Sequence, residues 1–376
     1  MNFIKLEEAQ KRGYKELYFT WMGIGDNLAL LTAAEMKFAQ SGERTLVGTN
    51  LPQIYENCNS VDIIKGFSFD EIKNNEKLLS VLDTYGISPV FISALQYIES
   101  FDNPGKFRTL LADMHFFARY CQLRGISGKI QIVPQFFLTD EEKKFGRFFK
   151  NNQIAIMSNG ILKYKTFPIS KMQELIDKLK DKYNFVQIGG KKDEKLKNAL
   201  DCRGKYSIRQ AASILHNSDL FIGCIGGLMH LARAVSCRSV IAYSSAESLI
   251  YDSYPCNKNV SPINACNFCG LRQKDPREIV CYDNYSCIKN ITVEDMLNAV
   301  EESLSQKDEP LEIETADLKI GKANGLKLYL QMKNGIGNLH IWDAKFGDSI
   351  VEETKKEVRI LGIFKLDIVD SLKKIY

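Results

Sequence analysis

The 376-residue chain has no uninterrupted apolar run of membrane-spanning length, and it does not begin with a basic segment followed by an apolar one. Neither a spanning helix nor a secretory leader is therefore expected. Charge of one sign is also scarce: fifty Lys plus Arg against forty-six Asp plus Glu leave a formal +4. That is too little for a field dedicated to nucleic-acid phosphates, although a local basic groove for one anionic substrate remains available. No repeat at a solenoid period and no low-complexity tract occurs. Apolar residues at 45% and charged residues at 26% exclude disordered and collagen-like chains. These absences leave a cytoplasmic protein with no nucleic-acid partner and at most peripheral membrane contact.

What is present organises itself in alternation. Strand-forming segments and helical stretches follow one another: Glu16 to Trp21, Asn27 to Gln40, Thr45 to Gly48, then again from Gln153-Ile-Ala-Ile-Met157. The second run continues through Pro168 to Lys182, Phe185 to Ile188, Ser207 to His216, Leu220 to Ile222, His230 to Ser236 and Ser239 to Ala242. Such alternation predicts α/β architecture with two Rossmann-like, doubly wound domains. The expected division is 1–147, 148–305, and a small α+β appendage over 306–376 carrying the hairpin dipeptide Asn334-Gly335. Thr139-Asp-Glu-Glu142 is a capping box, expected to open a linking helix that runs to Lys150.

Ligands of such sheets bind beyond the carboxyl ends of the strands, so the loops there are the candidates. In Trp21-Met-Gly23-Ile-Gly25-Asp26-Asn27 the glycines allow close backbone approach, and Asp26 is either an N-cap or a carboxylate facing the cleft. As a dinucleotide fingerprint this loop is poor, because the third glycine and the ribose-binding acid after the second strand are missing, and NAD binding is disfavoured. In the second run, Ser158-Asn159-Gly160 follows a strand, and Lys165 precedes the helix opened by Pro168, a plausible phosphate site. Gly189-Gly190 leads to Asp193, a helix cap or a ribose ligand. Gly226-Gly227 opens a helix whose free amides can hold a diphosphate, with His230 on its first turn.

Ten cysteines are many for a cytoplasmic chain. Cys266, Cys269, Cys281 and Cys287 have closable spacing for one tetrahedral structural Zn or Fe in a loop spanning 266–287, which leaves no catalytic metal position. Cys58, Cys121, Cys202, Cys224, Cys237 and Cys256 are scattered and read as core thiols.

Taken in order, Gly25-Asp26-Asn-Leu-Ala-Leu-Leu-Thr, Lys165-Thr-Phe-Pro168, Gly189 to Glu194, Tyr206-Ser-Ile and Gly223 to His230 resemble glycosyltransferase family 9. These are the bacterial ADP-heptose:lipopolysaccharide heptosyltransferases, of GT-B fold. The likeness covers roughly residues 15 to 300. It implies Asp26 as general base in an inverting displacement, Lys165 at the donor phosphates, Asp193 on the ribose and Tyr206 near adenine. The donor-binding set is then Gly23, Gly25, Ser158, Asn159, Gly160, Lys165, Asp193, Tyr206, Gly226, Gly227 and His230. One departure stands out: Ile225-Gly226-Gly227 replaces the family's acid, hydroxyl and glycine. The cysteine cluster resembles the metal loop of relatives that glycosylate autotransporters.

The resemblance implies transfer of heptose from ADP-heptose to a lipopolysaccharide-core or protein acceptor, at the inner face of the bacterial inner membrane, by a chain that could form a homo-oligomer. The alternatives are a catalytically inactive GT-B-like scaffold and another nucleotide-sugar enzyme such as an epimerase.

Overall fold

A computed structural model describes residues 3–21, 23–72, 76–92, 115–247, 249–261, 281 and 283–318, together with the backbone of four strands between 327 and 367. The first half runs α1 (Leu6–Lys11), β1 (Glu16–Phe19), α2 (Ile24–Ser41), β2 (Thr45–Gly48), β3 (Val61–Ile64), α3 (Phe69–Ile72), α4 (Glu76–Thr84), β4 (Ser88–Phe91), α5 (Phe116–Leu123) and β5 (Gly128–Gln131). Its parallel sheet has the order β3-β2-β1-β4. After the short linker helix α6 (Asp140–Lys143), the second half starts with β6 (Gln153–Ile156), α7 (Ile169–Leu179), β7 (Asn184–Gln187), β8 (Ala199–Asp201) and α8 (Ile208–His216). It continues with β9 (Leu220–Cys224), α9 (Gly227–Ala234), β10 (Ser239–Ala242), α10 (Leu249–Asp252), β11 (Asn257–Val260), α11 (Ser286–Lys289) and α12 (Val293–Ser305). Its six parallel strands are ordered β8-β7-β6-β9-β10-β11.

Local chemistry explains these elements. Strands β2, β3, β6, β9 and β10 are buried along their whole length, as parallel strands covered on both faces must be. Helix α7 buries Met172, Leu175, Ile176 and Leu179, one stripe at helical spacing. Capping boxes open α6 (Thr139, Glu142), α8 (Ser207, Gln210) and α12 (Thr292, Asp295). One continuous apolar cluster, from Leu28 and Phe117 to Ile156 and Ile241, crosses from the first half into the second.

Strand order reverses between β1 and β4 in one sheet and between β6 and β9 in the other. Ligands of such sheets bind at the strands' carboxyl ends beside the switch points, and the segments that follow β1, β6 and β9 there hold Asp26, Lys165 and Gly226-Gly227.

The linking helix is shorter than expected. It ends at Lys143 rather than Lys150, because Gly146 takes φ 92° and turns the chain. Arg209 of α8 then ties the linker to the first half, donating to Gln53 O at 3.0 Å, to Phe137 O at 2.5 Å and to Glu142 Oε2 at 2.6 Å.

Beyond α12 the chain returns to the first half, where β12 (Thr315–Leu318) pairs antiparallel with β5. Residues 315–318, on the appendage side of the expected boundary, thus add an edge to the first half. Strands β13 (Lys327–Lys333) and β14 (Ile336–Trp342) pair antiparallel with Lys333 opposite Ile336, the register of the expected hairpin. Asn334-Gly335 itself lies outside the described residues. Strands β15 (Glu357–Ile360) and β16 (Phe364–Asp367) form a further antiparallel pair. No helix among the described residues is long and apolar enough to cross a membrane.

Candidate active site

The loop after β1 is held in shape by Asn27. Its buried amide donates to Trp21 O at 3.0 Å and Gly23 O at 2.9 Å, while its Oδ1 accepts from Thr49 Oγ1 and Tyr55 Oη. Helix α2 consequently begins at Ile24 with Gly23 as its N-cap, so Asp26 stands within the first turn and is not the cap. A carboxylate there would ordinarily be favoured by the helix dipole. Burial prevails instead and pushes Asp26 up to about 6, opposed by a hydrogen bond from Tyr120 and by the charge of Lys165. Tyr120 comes from α5, and Tyr251 of α10 is near enough for the Asp26 charge to act on it.

Lys165 departs from the usual solvated lysine. It ends a short 3-10 turn (Lys163–Lys165), is largely buried, and places Nζ 2.6 Å from Glu247 Oε1. Tyr164 donates to the same oxygen at 3.2 Å. Glu247 lies beyond the end of β10, and Asp252 of α10 stands against it and accepts the Tyr243 hydroxyl. Lys165 holds Glu247 below the usual carboxylate range despite burial, whereas burial and the Glu247 charge push Asp252 well above it.

Two glycines bring the helix starts of the halves together. A Cβ on Gly25 would lie 2.8 Å from His230 Cδ2, and one on Gly227 would lie 2.7 Å from Ile24 Cβ. The N-terminus of α9 therefore packs on that of α2 as closely as backbone permits. Gly226 is the N-cap of α9. His230 is 5% exposed, shares a 2.8 Å hydrogen bond through Nδ1 with Tyr254 Oη, and packs among Phe116, Phe117 and Tyr254. Burial keeps it neutral, well below the ordinary histidine value. It acts as a weld between the halves, with its Nε2 edge toward Gly25.

The remaining expected residues make contacts within the second half and its linker. Ser158 is buried, donates to Glu194 O and accepts from Gln187 Nε2, and Asn159 accepts from Glu194 N, so the pair latches two strand ends together. A Cβ on Gly160 would lie 2.1 Å from the Lys165 carbonyl oxygen. Asp193 caps no helix. Its Oδ2 accepts from Gly190 N at 2.8 Å and closes a turn that leads into β8. Tyr206 packs on the linker aromatics Phe145 and Phe148, with ring centroids 5.2 and 6.1 Å away. The six scattered cysteines are all buried, as expected. Cys266 and Cys269 lie outside the described residues; Cys287 is buried on α11, and Cys281 Sγ accepts from Tyr285 N at 3.1 Å. Among the described residues no three metal-ligating side chains converge.

Tyr120, Glu247, Asp252 and Tyr251 escape a motif-based reading. The signal that finds Glu247 is its place after β10, one strand beyond the switch point.

The family model of glycosyltransferase family 9 (heptosyltransferase) matches residues 95–275. The protein is a glycosyltransferase. No curated protein matches the chain by sequence. Among solved structures, the ADP-heptose lipopolysaccharide heptosyltransferase II of E. coli is similar with a TM-score of 0.57 at 16% identity, over 78% of this chain and 99% of its own. A family 9 glycosyltransferase from Veillonella parvula gives 0.57 at 13%, over 78% and 98%. TibC from enterotoxigenic E. coli, described as an iron-containing dodecameric glycosyltransferase, gives 0.59 at 17%, over 78% and 76%. TibC is also known in complex with ADP-D-β-D-heptose. At these identities the likeness establishes the shared GT-B-like fold of parallel sheets.

In this glycosyltransferase the fold accordingly brings Asp26, raised by burial to about 6, within electrostatic reach of the buried Lys165.

Proposed function

We propose that the enzyme moves a sugar, heptose from ADP-heptose, to a hydroxyl of a lipopolysaccharide-core or protein acceptor by inverting displacement. The observation that carries this reading is that Asp26 and Lys165 follow the switch-point strands β1 and β6 of the two sheets, near enough for the lysine charge to act on the buried carboxylate. Asp26 accepts the acceptor's proton as its oxygen attacks the anomeric carbon; the carbon–oxygen bond to the diphosphate breaks with its electron pair, and ADP departs. A base titrating near 6 is ionised at neutral pH yet still able to take a proton. Lys165 faces the charge that grows on the diphosphate, which favours the transition state over the bound donor. TibC's complex with ADP-D-β-D-heptose supports the choice of donor. The test is transfer or donor hydrolysis with purified protein and ADP-heptose. Asp26→Asn should lose at least about a hundredfold in turnover; equal turnover would remove Asp26 from the mechanism.

The cysteine loop fits a structural metal. Cys281 and Cys287 bracket a tight turn in which Asn284 and Tyr285 take φ 44° and 59°, and an amide already points at the Cys281 sulfur, as it does at metal-bound thiolates. With Cys266 and Cys269 they would hold one Zn or Fe, which would organise the loop and supply no step of the reaction. TibC's description as iron-containing and dodecameric supports both a metal and self-association.

A further inference from the structure

The lysine suited to an anionic donor is already engaged. Lys165 and Glu247 form a 2.6 Å ion pair with side chains only 18% and 9% exposed. Oε1 of Glu247 also accepts from Tyr164, but its buried Oε2 receives no N–H or hydroxyl donor. The Asp252 carboxyl stands against Glu247, and it already accepts from Tyr243. Oε2 is satisfied if Asp252 carries a proton and donates it. Two carboxyl groups this close inside a protein hold one proton between them. The burial of Asp252, only 3% exposed, favours the same state.

We propose that Glu247 is an internal stand-in for the donor's diphosphate: it holds Lys165 before a donor binds, and when a nucleoside diphosphate takes over the ammonium, the Glu247–Asp252 pair takes up a proton from solvent. This rests on the reading of Lys165 as the donor-phosphate cation.

The charges around the pair set the direction. Lys165 of the 3-10 turn is the cation acting on Glu247, and Asp26 of α2 adds a negative charge near Lys165. Tyr251 and Asp252 of α10, Tyr243 after β10 and Tyr164 complete the surround; Arg119 of α5 acts on Tyr251, and buried His115 and His230 stay neutral. Once diphosphate oxygens share the ammonium, Glu247 keeps the repulsion of Asp26 and the burial while losing its compensation. A buffer acid gives up one proton, an O–H bond forms on the Glu247 carboxylate, and part of the incoming negative charge is cancelled. Glu247 is thus a positioning residue acting through Lys165.

The test is calorimetric titration of the full chain with ADP at neutral pH, in buffers of high and low ionisation enthalpy. Wild type should take up close to one proton per ADP, so affinity should gain up to about tenfold per pH unit lowered. Glu247→Gln should bind ADP at least as tightly with uptake abolished, and Asp26→Asn should retain the uptake, which separates this pair from the base. Binding without proton uptake in wild type, or uptake undiminished in Glu247→Gln, overturns the proposal alone. No ADP binding in wild type would overturn the donor reading and the proposal with it.

Discussion

Tyr120 donates its hydroxyl to Asp26 Oδ1 at 3.0 Å, while the same hydroxyl lies 2.6 Å from Thr20 Oγ1. A fixed donor therefore meets the carboxylate from α5, with its own position set by the end of β1. Burial raises Asp26 and this hydrogen bond restrains the rise, so the tyrosine tunes the proposed base.

The first prediction follows from that pairing. In wild type the acid limb of kcat/KM against pH should lie near 6. Tyr120→Phe should move it upward by about one pH unit with the fold intact. A limb that stays in place would separate Tyr120 from the base.

A second concerns stability. Asp26 binds its proton more tightly in the folded state, near 6 against an ordinary 3.8, so the fold loses stability as pH rises through that window. Asp26→Asn escapes the loss. Thermal melts should show the variant equal to wild type at pH 4 and more stable at pH 8 by about 1 to 2 kcal/mol, the partial exposure of the side chain being allowed for.

A third tests the contact between helix starts. Gly227→Ala would set a Cβ 2.7 Å from Ile24 Cβ, in a place with no flexible side-chain end to yield. It should cost about 1 to 3 kcal/mol and reduce kcat/KM by about ten- to a hundredfold. Gly42→Ala, at the left-handed end of α2 (φ 70°), is the control: it should lower stability and leave kcat/KM alone.

A fourth addresses the metal. Freshly purified, reduced protein should contain about one equivalent of Zn or Fe, and Cys287→Ser should lower both metal content and melting temperature. Metal-free wild type by elemental analysis would refute the site.

The fold was largely legible because its signals are local. Ser239 to Ala242 is an apolar run that became β10 at those bounds, and the helical stretch Ser207 to His216 became α8 with Ser207 as its cap. Errors arose where a local pattern was overruled. Phe145, Phe148 and Phe149 read as helix, but Gly146 turns the chain and the rings pack on Tyr206 and the second half instead. Of the two roles open to Asp193, helix cap or ribose ligand, the cap falls away, because no helix follows it directly and its carboxylate closes a turn on Gly190. Of the site, Asp26 and Lys165 carry motif signals. Tyr120, Glu247 and Asp252 do not, since their roles come from contacts between segments far apart in the chain.

The pairing of β12 with β5 has a mechanical consequence. The polypeptide leaves the first half after β5 and re-enters it at β12, so the whole second half is an excursion inserted into one loop of the first. Both crossings sit side by side at that antiparallel pair, like two leaves of one hinge. Two crossings side by side resist twisting of one half against the other better than a single crossing chain does. Even when unfolded, the second half would stay tethered at both ends, which restricts its freedom and favours its return.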